Sequence, residues 1–178
     1  MANFTTPIGN LAFVNLATPQ PKGGIAGNDK VYGANLVWGK KAQQSPEFQK
    51  IKAEVDRLIE EHVKRKVPLS RIRNPLKDGG EKTYAGFGPG TIFISPTNKD
   101  RPKIVDTTKS EILDLSDVVS GMKARMNISV YSYNNASVGV GVSLNGVQVF
   151  TDEPYERLDG RPSVDAMFGD DSDDDSAF

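Results

Sequence analysis

The chain has 178 residues, of which 37% are hydrophobic, and this suits one domain with a real core and appended segments. It contains no cysteine, which excludes disulfide bonds, thiolate metal sites and a cysteine nucleophile. The sequence shows no apolar run of about twenty residues and no signal-peptide pattern, so we expect a cytoplasmic protein without membrane contact. Seventeen Gly and eleven Pro favour a β-rich fold over a helical bundle.

The formal net charge of −1 conceals an uneven distribution. Residues 165–178 contain six Asp and neither Lys nor Arg, so the rest of the chain has a formal charge of +5. Such a segment cannot bury enough apolar surface to fold, which predicts a flexible acidic tail over residues 156–178. The docking candidates in this tail are Asp173, Asp174, Asp175 and Phe178. An acidic run with a terminal ring suits a partner pocket with a basic rim, although a role in solubility or in covering the protein's own basic groove stays open.

The first part of the chain predicts two strands. We expect residues 1–10 to form a flexible N-terminal arm. A short strand is predicted over residues 11–16, followed by a loop rich in Gly and Pro. A second strand is predicted over residues 30–38, in which Leu36 and Trp38 share one face.

One long helix is predicted next. Ser45 is a suitable N-cap and Pro46 a suitable first helical residue. Apolar residues then recur at helical spacing, namely Phe48, Ile51, Val55, Leu58, Ile59 and Val63. The helix should end near Lys66, because the residue before Pro68 avoids the helical conformation. His62, the one histidine, lies at the edge of the apolar face and is interpreted as structural.

The rest of the chain reads as turns and strands. A basic, turn-rich stretch covers residues 71–82, and strands are predicted over residues 91–95 and 104–106. A helical turn is predicted over residues 111–119.

The strongest strand pattern covers residues 123–133, with Arg125, Tyr131 and Tyr133 on the face opposite the core. The dipeptide Asn145-Gly146 then predicts a two-residue hairpin turn. The whole pattern indicates a mainly β (α+β) fold, an antiparallel meander with one inserted helix.

Aromatic residues on an exposed strand face suit the stacking of unpaired nucleic-acid bases, because every base offers a π-face. Tyr131 and Tyr133 are therefore candidate stacking residues. Phe87 is a third, and Trp38 a fourth, although the strand face of Trp38 also suits the core. Two glycines on the following strand would allow a ligand to approach closely. The alternatives are that the tyrosines pack under the helix and that the glycines form barrel corners.

Basic residues supply the second requirement of such a site, the neutralisation of phosphates. The candidate phosphate contacts are Arg71, Arg73, Lys77, Lys82, Lys99, Arg101 and Arg125. Each contact to a single strand would steepen the dependence of log affinity on log salt by about 0.7.

The sequence matches none of the enzyme and metal-binding motifs considered. Gly86, Gly88 and Gly90 form a glycine-rich stretch, but it matches neither the dinucleotide-binding nor the P-loop pattern. The tail aspartates lack the spacing and the turn glycine of a calcium loop. We therefore predict a protein that is not an enzyme and needs no cofactor or metal.

Four segments are informative in combination: residues 73–79 (RNPLKDG), 84–87 (YAGF), 131–135 (YSYNN) and 144–148 (LNGVQ). Together they resemble a family of tailed-phage single-stranded DNA-binding proteins with an OB-type domain, over roughly residues 10–155. The tail is similar to those of bacterial and phage single-stranded DNA-binding proteins, which end in an Asp run and Phe. Ser-Ala precedes the last Phe here, where the bacterial pattern has Ile-Pro.

The resemblance implies an OB-like antiparallel β-barrel over residues 11–155 with one long inserted helix. It also implies a protein of the host cytoplasm that coats exposed single strands during phage DNA replication or recombination. The tail would recruit replisome proteins such as a DNA polymerase and compete with DNA for the basic groove. From the residues alone, a non-enzymatic protein–protein adaptor whose tail docks on a basic partner remains an alternative, and DNA is not distinguished from RNA.

Overall fold

The computed structural model describes residues 2–82 and 86–155. The strands in these residues are β1 (Ala2–Thr5), β2 (Gly9–Pro21), β3 (Lys30–Trp38), β4 (Ile72–Arg73), β5 (Lys77–Asp78), β6 (Ile92–Ile94), β7 (Thr97–Asn98), β8 (Lys103–Val105), β9 (Lys123–Asn134) and β10 (Val138–Val149). The helix is α1 (Pro46–Lys64), and short 3-10 turns cover Lys22–Gly24, Ala42–Gln44, Leu69–Arg71, Gly79–Glu81 and Leu115–Asp117. This content confirms the prediction of a mainly β fold with an inserted helix.

The sheet closes on itself. β2 pairs with β3, and β3 pairs with β6 and β7, which follow each other along one edge. β7 pairs with β10, β10 with β9, and β9 with β2, so the last pairing returns to the first strand. A five-stranded ring, with β6 and β7 counted as one strand, is the architecture of an OB-type barrel.

The sequence predicted a purely antiparallel meander, but the ring also contains a parallel pairing. β10 runs parallel to β4, β7 and β8. Parallel neighbours require a long connection between them, and here that connection contains β9, which lies on the other side of β10. Local hydrophobic periodicity does not show which strands pair when they are so far apart in the sequence.

The prediction of a hairpin turn at Asn145-Gly146 is wrong. β10 continues through this dipeptide alongside β9, and the chain reverses at residues 135–137 instead. Asn145 is an extra residue of β10, a β-bulge with no partner position on β9. Its Nδ2 donates to Oδ1 of Asn127 and to Oγ of Ser129, each at 2.9 Å, so its side chain ties the bulge to β9.

Helix α1 begins where the sequence predicts. Oγ of Ser45 accepts a hydrogen bond from the backbone N of Phe48 at 3.2 Å, and Pro46 occupies the first turn. The helix ends at Lys64, shortly before Lys66 takes a φ of 66°. Its apolar face packs against β9 and β10. No helix in the described part of the chain is long and apolar enough to cross a membrane.

The main core fills the barrel and the space under α1. Its fully buried members include Leu11, Leu16, Leu36, Trp38, Phe48, Ile51, Ile128 and Leu144. A second, smaller hydrophobic cluster lies on the outward face of β3. Val37 belongs to it, because its side chain points away from the core-facing side chains of Leu36 and Trp38 on either side. Val37 packs there with Ala12 and Phe93, and Phe87 covers them. We call this the outer cluster.

The prediction of a flexible arm over residues 1–10 is contradicted for the described residues 2–10. β1 pairs with β9 along its whole length, and β2 begins at Gly9. Between them, Oγ1 of the buried Thr6 accepts a hydrogen bond from the backbone N of Met126 at 2.9 Å. The segment is ordered because its backbone groups complete the edge of β9.

Candidate nucleic-acid interface

A groove of about 800 Å³ crosses the outer face of the barrel. It is lined by residues of β9 and β10, of the β4–β5 region, of the β6–β7 junction and of the loop between β2 and β3. We call it the tyrosine groove. The lining residues that matter most here are Tyr131, Tyr133, Gly141, Arg73 and Lys77. The fold thus brings two predicted stacking residues and two predicted phosphate contacts to one surface.

Tyr131 and Tyr133 stand on the outward side of β9, as the alternation predicts. Their ring centroids are 6.2 Å apart with an interplanar angle of 50°, and both side chains are partly exposed. Ser132, between them, faces the helix instead. The alternative that the tyrosines pack under α1 is therefore wrong. Two partly exposed rings in one groove offer π-faces to unpaired bases.

His62 fixes the strands behind the tyrosine groove. The side chain is 1% exposed, and its Nε2 lies 2.7 Å from Oγ of Ser132 and 3.2 Å from the carbonyl oxygen of Gly139. The carbonyl oxygen accepts from Nε2 when that nitrogen carries the proton, and the Ser132 hydroxyl donates to Nε2 when it does not. Nδ1 has no hydrogen-bond partner among the described residues. The ring links α1 to both β9 and β10, which supports its interpretation as a structural residue.

Two glycines of β10 make room for their neighbours. Gly141 pairs with Tyr131, and a Cβ added at Gly141 would lie 2.6 Å from Cζ of that ring. Gly139 pairs with both Tyr133 and Arg73, and a Cβ there would lie 2.7 Å from the backbone oxygen of Arg73. The glycines therefore permit the close approach of a ring in one case and of a neighbouring strand in the other.

Positive charge gathers beside the two rings. The pKa of Lys77 lies below its ordinary value of 10.5, first because neighbouring atoms partly desolvate the ammonium group and then because Lys82 and Arg73 repel it. We call these three residues the cationic cluster. No salt bridge involves any of them in the described part of the chain, whereas on α1 the exposed Lys52 pairs with Asp56 at 2.7 Å. Crowded positive charge attracts phosphate.

Tyr131 adds no negative charge to this surface. Burial raises the pKa of its phenol above the ordinary 10.0, and the neighbouring Tyr133 raises it further. The hydroxyl therefore stays protonated at neutral pH and is able to donate a hydrogen bond to a phosphate oxygen.

Phe87 lies outside the tyrosine groove, in the outer cluster. Its ring centroid is 4.9 Å from that of Phe93 and 6.1 Å from that of Phe13. Nζ of Lys77 lies 5.8 Å from the Phe93 centroid, so the cluster adjoins the groove. Phe13 was missed by the sequence analysis. The signal for it is the run Leu11-Ala12-Phe13-Val14, whose continuous apolar character breaks the alternation expected of a regular strand.

The prediction that Trp38 stacks on bases is wrong. Its side chain is fully buried, packs edge-on against Phe48 and donates Nε1 to the carbonyl oxygen of Pro7 at 3.1 Å. The alternation that places Trp38 with Leu36 points both into the core.

Three other predicted phosphate contacts do not line the tyrosine groove. Arg71 is exposed in the 3-10 turn before β4. Nζ of Lys99 forms an exposed salt bridge with Asp29 at 3.1 Å. The guanidinium of Arg101 lies 5.4 Å from the ring centroid of Tyr32 and donates to the carbonyl oxygen of Ala17 at 3.0 Å. Lys99 and Arg101 therefore have partners on their own protein.

Arg125 lies in a different groove of about 990 Å³, with Lys41 and Lys123. Its Nε donates to Oε1 of Gln148 at 2.6 Å. Arg125 and Tyr131 share the outward face of β9, but they are about 20 Å apart along the strand at roughly 3.4 Å per residue. The structure therefore does not bring Arg125 together with the tyrosines.

The predicted docking residues of the tail lie outside the described residues. They are Asp173, Asp174, Asp175 and Phe178.

Comparison by sequence finds one family and a phage relative. The family described as "Enterobacter phage Enc34, ssDNA-binding protein" matches residues 6–178. Protein p50 of Acyrthosiphon pisum secondary endosymbiont phage 1 is 35% identical over 92 residues, which cover 49% of this chain and 50% of p50. The chain thus spans about half the length of that relative.

Solved structures of phage proteins share this fold. The single-stranded DNA-binding protein from bacteriophage Enc34, in complex with ssDNA, has a TM-score of 0.66 and 20% identity, covering 90% of this chain and 88% of that chain. The single-stranded DNA-binding protein gp2.5 encoded by bacteriophage T7 has a TM-score of 0.61 and 20% identity, covering 84% and 92%. These similarities confirm the predicted fold class.

Proposed function

Because the chain belongs to the family of the Enterobacter phage Enc34 ssDNA-binding protein, we propose that its tyrosine groove binds single-stranded DNA without catalysis. The observation that carries this proposal is the position of two partly exposed tyrosine rings in one groove with Arg73 and Lys77. Rings stack on bases and cations neutralise phosphates, and neither contact depends on sequence.

The position of the groove in the barrel supports the proposal. OB-type barrels bind oligonucleotides on the face of their second and third strands, between the loop that joins the first two strands and the loop that joins the last two. The tyrosine groove reaches Thr97 of the third strand of this ring, Ile25 of the first of those loops and Asn135 of the second, and its two rings stand on the fourth strand.

In this proposal the protein coats exposed single strands during phage DNA replication or recombination. The similarity in fold to a phage protein in complex with ssDNA, and to a second phage single-stranded DNA-binding protein, supports the choice of DNA as the ligand.

The acidic tail completes the proposal. Asp173, Asp174 and Asp175 with the terminal Phe178 would dock on a replisome protein such as a DNA polymerase. The same aspartates would compete with DNA for the cationic cluster at low salt, because they offer the same negative charge.

Oligo-dT binding over a salt series tests the groove. Each base stack is worth about 1–3 kcal/mol, so the Tyr131→Ala/Tyr133→Ala double variant, which loses two, should bind at least about thirtyfold more weakly at every salt concentration. The matched control is Tyr131→Phe/Tyr133→Phe, which keeps both rings and should bind nearly as well as the wild type. Unchanged affinity in the alanine double variant would remove these rings from the site. Failure of the wild type to bind any nucleic acid at low salt would favour the adaptor alternative.

Truncation of residues 165–178 tests the tail. Removal of six negative charges should tighten oligo-dT binding at low salt, and the gain should fade as salt screens the competition. Weaker binding by the truncated protein would contradict a tail that competes with DNA.

A further inference from the structure

Phe13 takes a backbone conformation that bulky residues avoid. Its φ of 48° lies in the left-handed region, where a large side chain is strained. Its side chain is nevertheless 50% exposed, so burial in the core does not explain the strain. Strained residues of this kind are concentrated at functional sites.

The strain belongs to a β-bulge that turns the ring outward. Over residues 12–15, β2 has one residue more than the facing part of β3. Leu11 and Val14 both contact the main core, whereas Ala12 belongs to the outer cluster. Phe13 is therefore the extra residue, and it faces outward as well. In a regular strand, alternation would turn its ring into the barrel.

The outward ring lies on a surface that continues the tyrosine groove. Phe13 contacts Phe87, Phe87 contacts Phe93, and Lys77 lies over the Phe93 ring while also lining the groove. Phe93 and Lys77 are direct partners on β6 and β5, so the surface from groove to outer cluster is one sheet face.

We propose that Phe13 is a second stacking position, for a base further along the same DNA strand than the bases on Tyr131 and Tyr133. Lys77 lies between the two positions and is placed to neutralise a phosphate of the connecting backbone. The inference rests on the proposed function and adds a subsite to it. The alternative role for Phe13 is as an apolar cover for Phe87.

Oligo-dT of increasing length, from about four to about sixteen nucleotides, separates the two stacking positions. Phe13→Leu keeps an apolar cover but has no aromatic face, and Phe13→Asn suits the left-handed conformation. Both variants should bind the longer oligonucleotides about 5- to 100-fold more weakly than the wild type and the shortest equally well. Tyr131→Ala should lose affinity at every length. Leu113→Ala, at a site 86% exposed, is the control that should change nothing.

Equal binding of every length by the wild type and both Phe13 variants would overturn the second position and leave the proposed function intact. Equal losses at every length would overturn it too, because they would indicate a distorted barrel. Absence of wild-type binding to all the oligonucleotides would overturn the proposed function and this inference together. Photocrosslinking of wild-type protein to an oligonucleotide carrying 5-iodouracil gives a readout that needs no variant. A crosslinked peptide that contains Phe13 supports the proposal, and crosslinks confined to β9 contradict it.

Discussion

The ring of Tyr131 lies against the bare backbone of Gly141, so that an added Cβ would stand 2.6 Å from its Cζ. Gly141→Ala should therefore displace the ring and weaken oligo-dT binding by roughly tenfold, the lower part of the range for one lost stack. Gly39→Ala is the matched control, because nothing lies within 4 Å of a Cβ added there. Fluorescence titration with thermal unfolding of the three proteins separates a binding defect from a folding defect. Wild-type affinity in Gly141→Ala would mean that the ring position does not matter.

The two basic regions on β4 and β9 should differ in their salt dependence. Arg73 lines the tyrosine groove, whereas Arg125 lies in the separate groove with Lys123. Affinity falls as salt rises, and Arg73→Gln should make the slope of log affinity against log salt less steep by about 0.7, the value for one phosphate contact. Arg125→Gln should leave the slope unchanged. An equal drop in both variants would show that the DNA path also includes the second groove.

Lys77 should favour DNA binding at the expense of stability. Its lowered pKa means that the folded protein disfavours the ammonium form, so between that pKa and 10.5 the unfolded chain binds more protons. The cost of the charge is therefore full below the lowered pKa and declines as pH rises toward 10.5. Lys77→Met should melt at a higher temperature than the wild type at pH 7, and the difference should shrink at pH 10.

The same substitution should weaken oligo-dT binding, because a phosphate contact is lost. Lys77→Arg keeps the charge and is the control for binding. Thermal unfolding at both pH values and titration at pH 7 test the two effects separately. A lower melting temperature for Lys77→Met at pH 7 would contradict the crowding of charge in the groove.

His62 should matter for stability more than for chemistry. His62→Leu removes the hydrogen-bond partner of Ser132 and of the Gly139 carbonyl oxygen, and each such hydrogen bond contributes about 0.5–1.5 kcal/mol to stability. Urea denaturation should show this loss, and hydrogen exchange should accelerate in the β9–β10 hairpin. Unchanged stability would indicate that water replaces the imidazole without cost.

The parts of the fold that depend on local periodicity were predictable. Ser45 and Pro46 marked the start of α1, and the alternation in β9 placed Tyr131 and Tyr133 on the outward face. The two-residue period and the capping pattern act over a few residues, so one sequence is enough to detect them.

The parts that depend on distant partners were not predictable. Asn145-Gly146 has the residues of a hairpin turn, but pairing with β9 uses Asn145 as a bulge instead. The sequence did not show whether Trp38 was buried or exposed, because its burial depends on packing against Phe48 of the distant helix α1. The sequence also did not show that Phe13 faces outward, because a bulge in β2 changes the face on which the residues after it lie. Arg125 and Tyr131 share a face, but the sequence did not show which groove each would line.

The crowding of Lys77 with Lys82 and Arg73 also has a consequence for how the protein behaves in solution. A multivalent buffer anion such as sulfate would bind at the same cationic cluster as the phosphates of a nucleotide backbone. At matched ionic strength, sulfate should therefore displace DNA from the cationic cluster more effectively than chloride does. The choice of counter-anion thus becomes a probe of the cationic cluster.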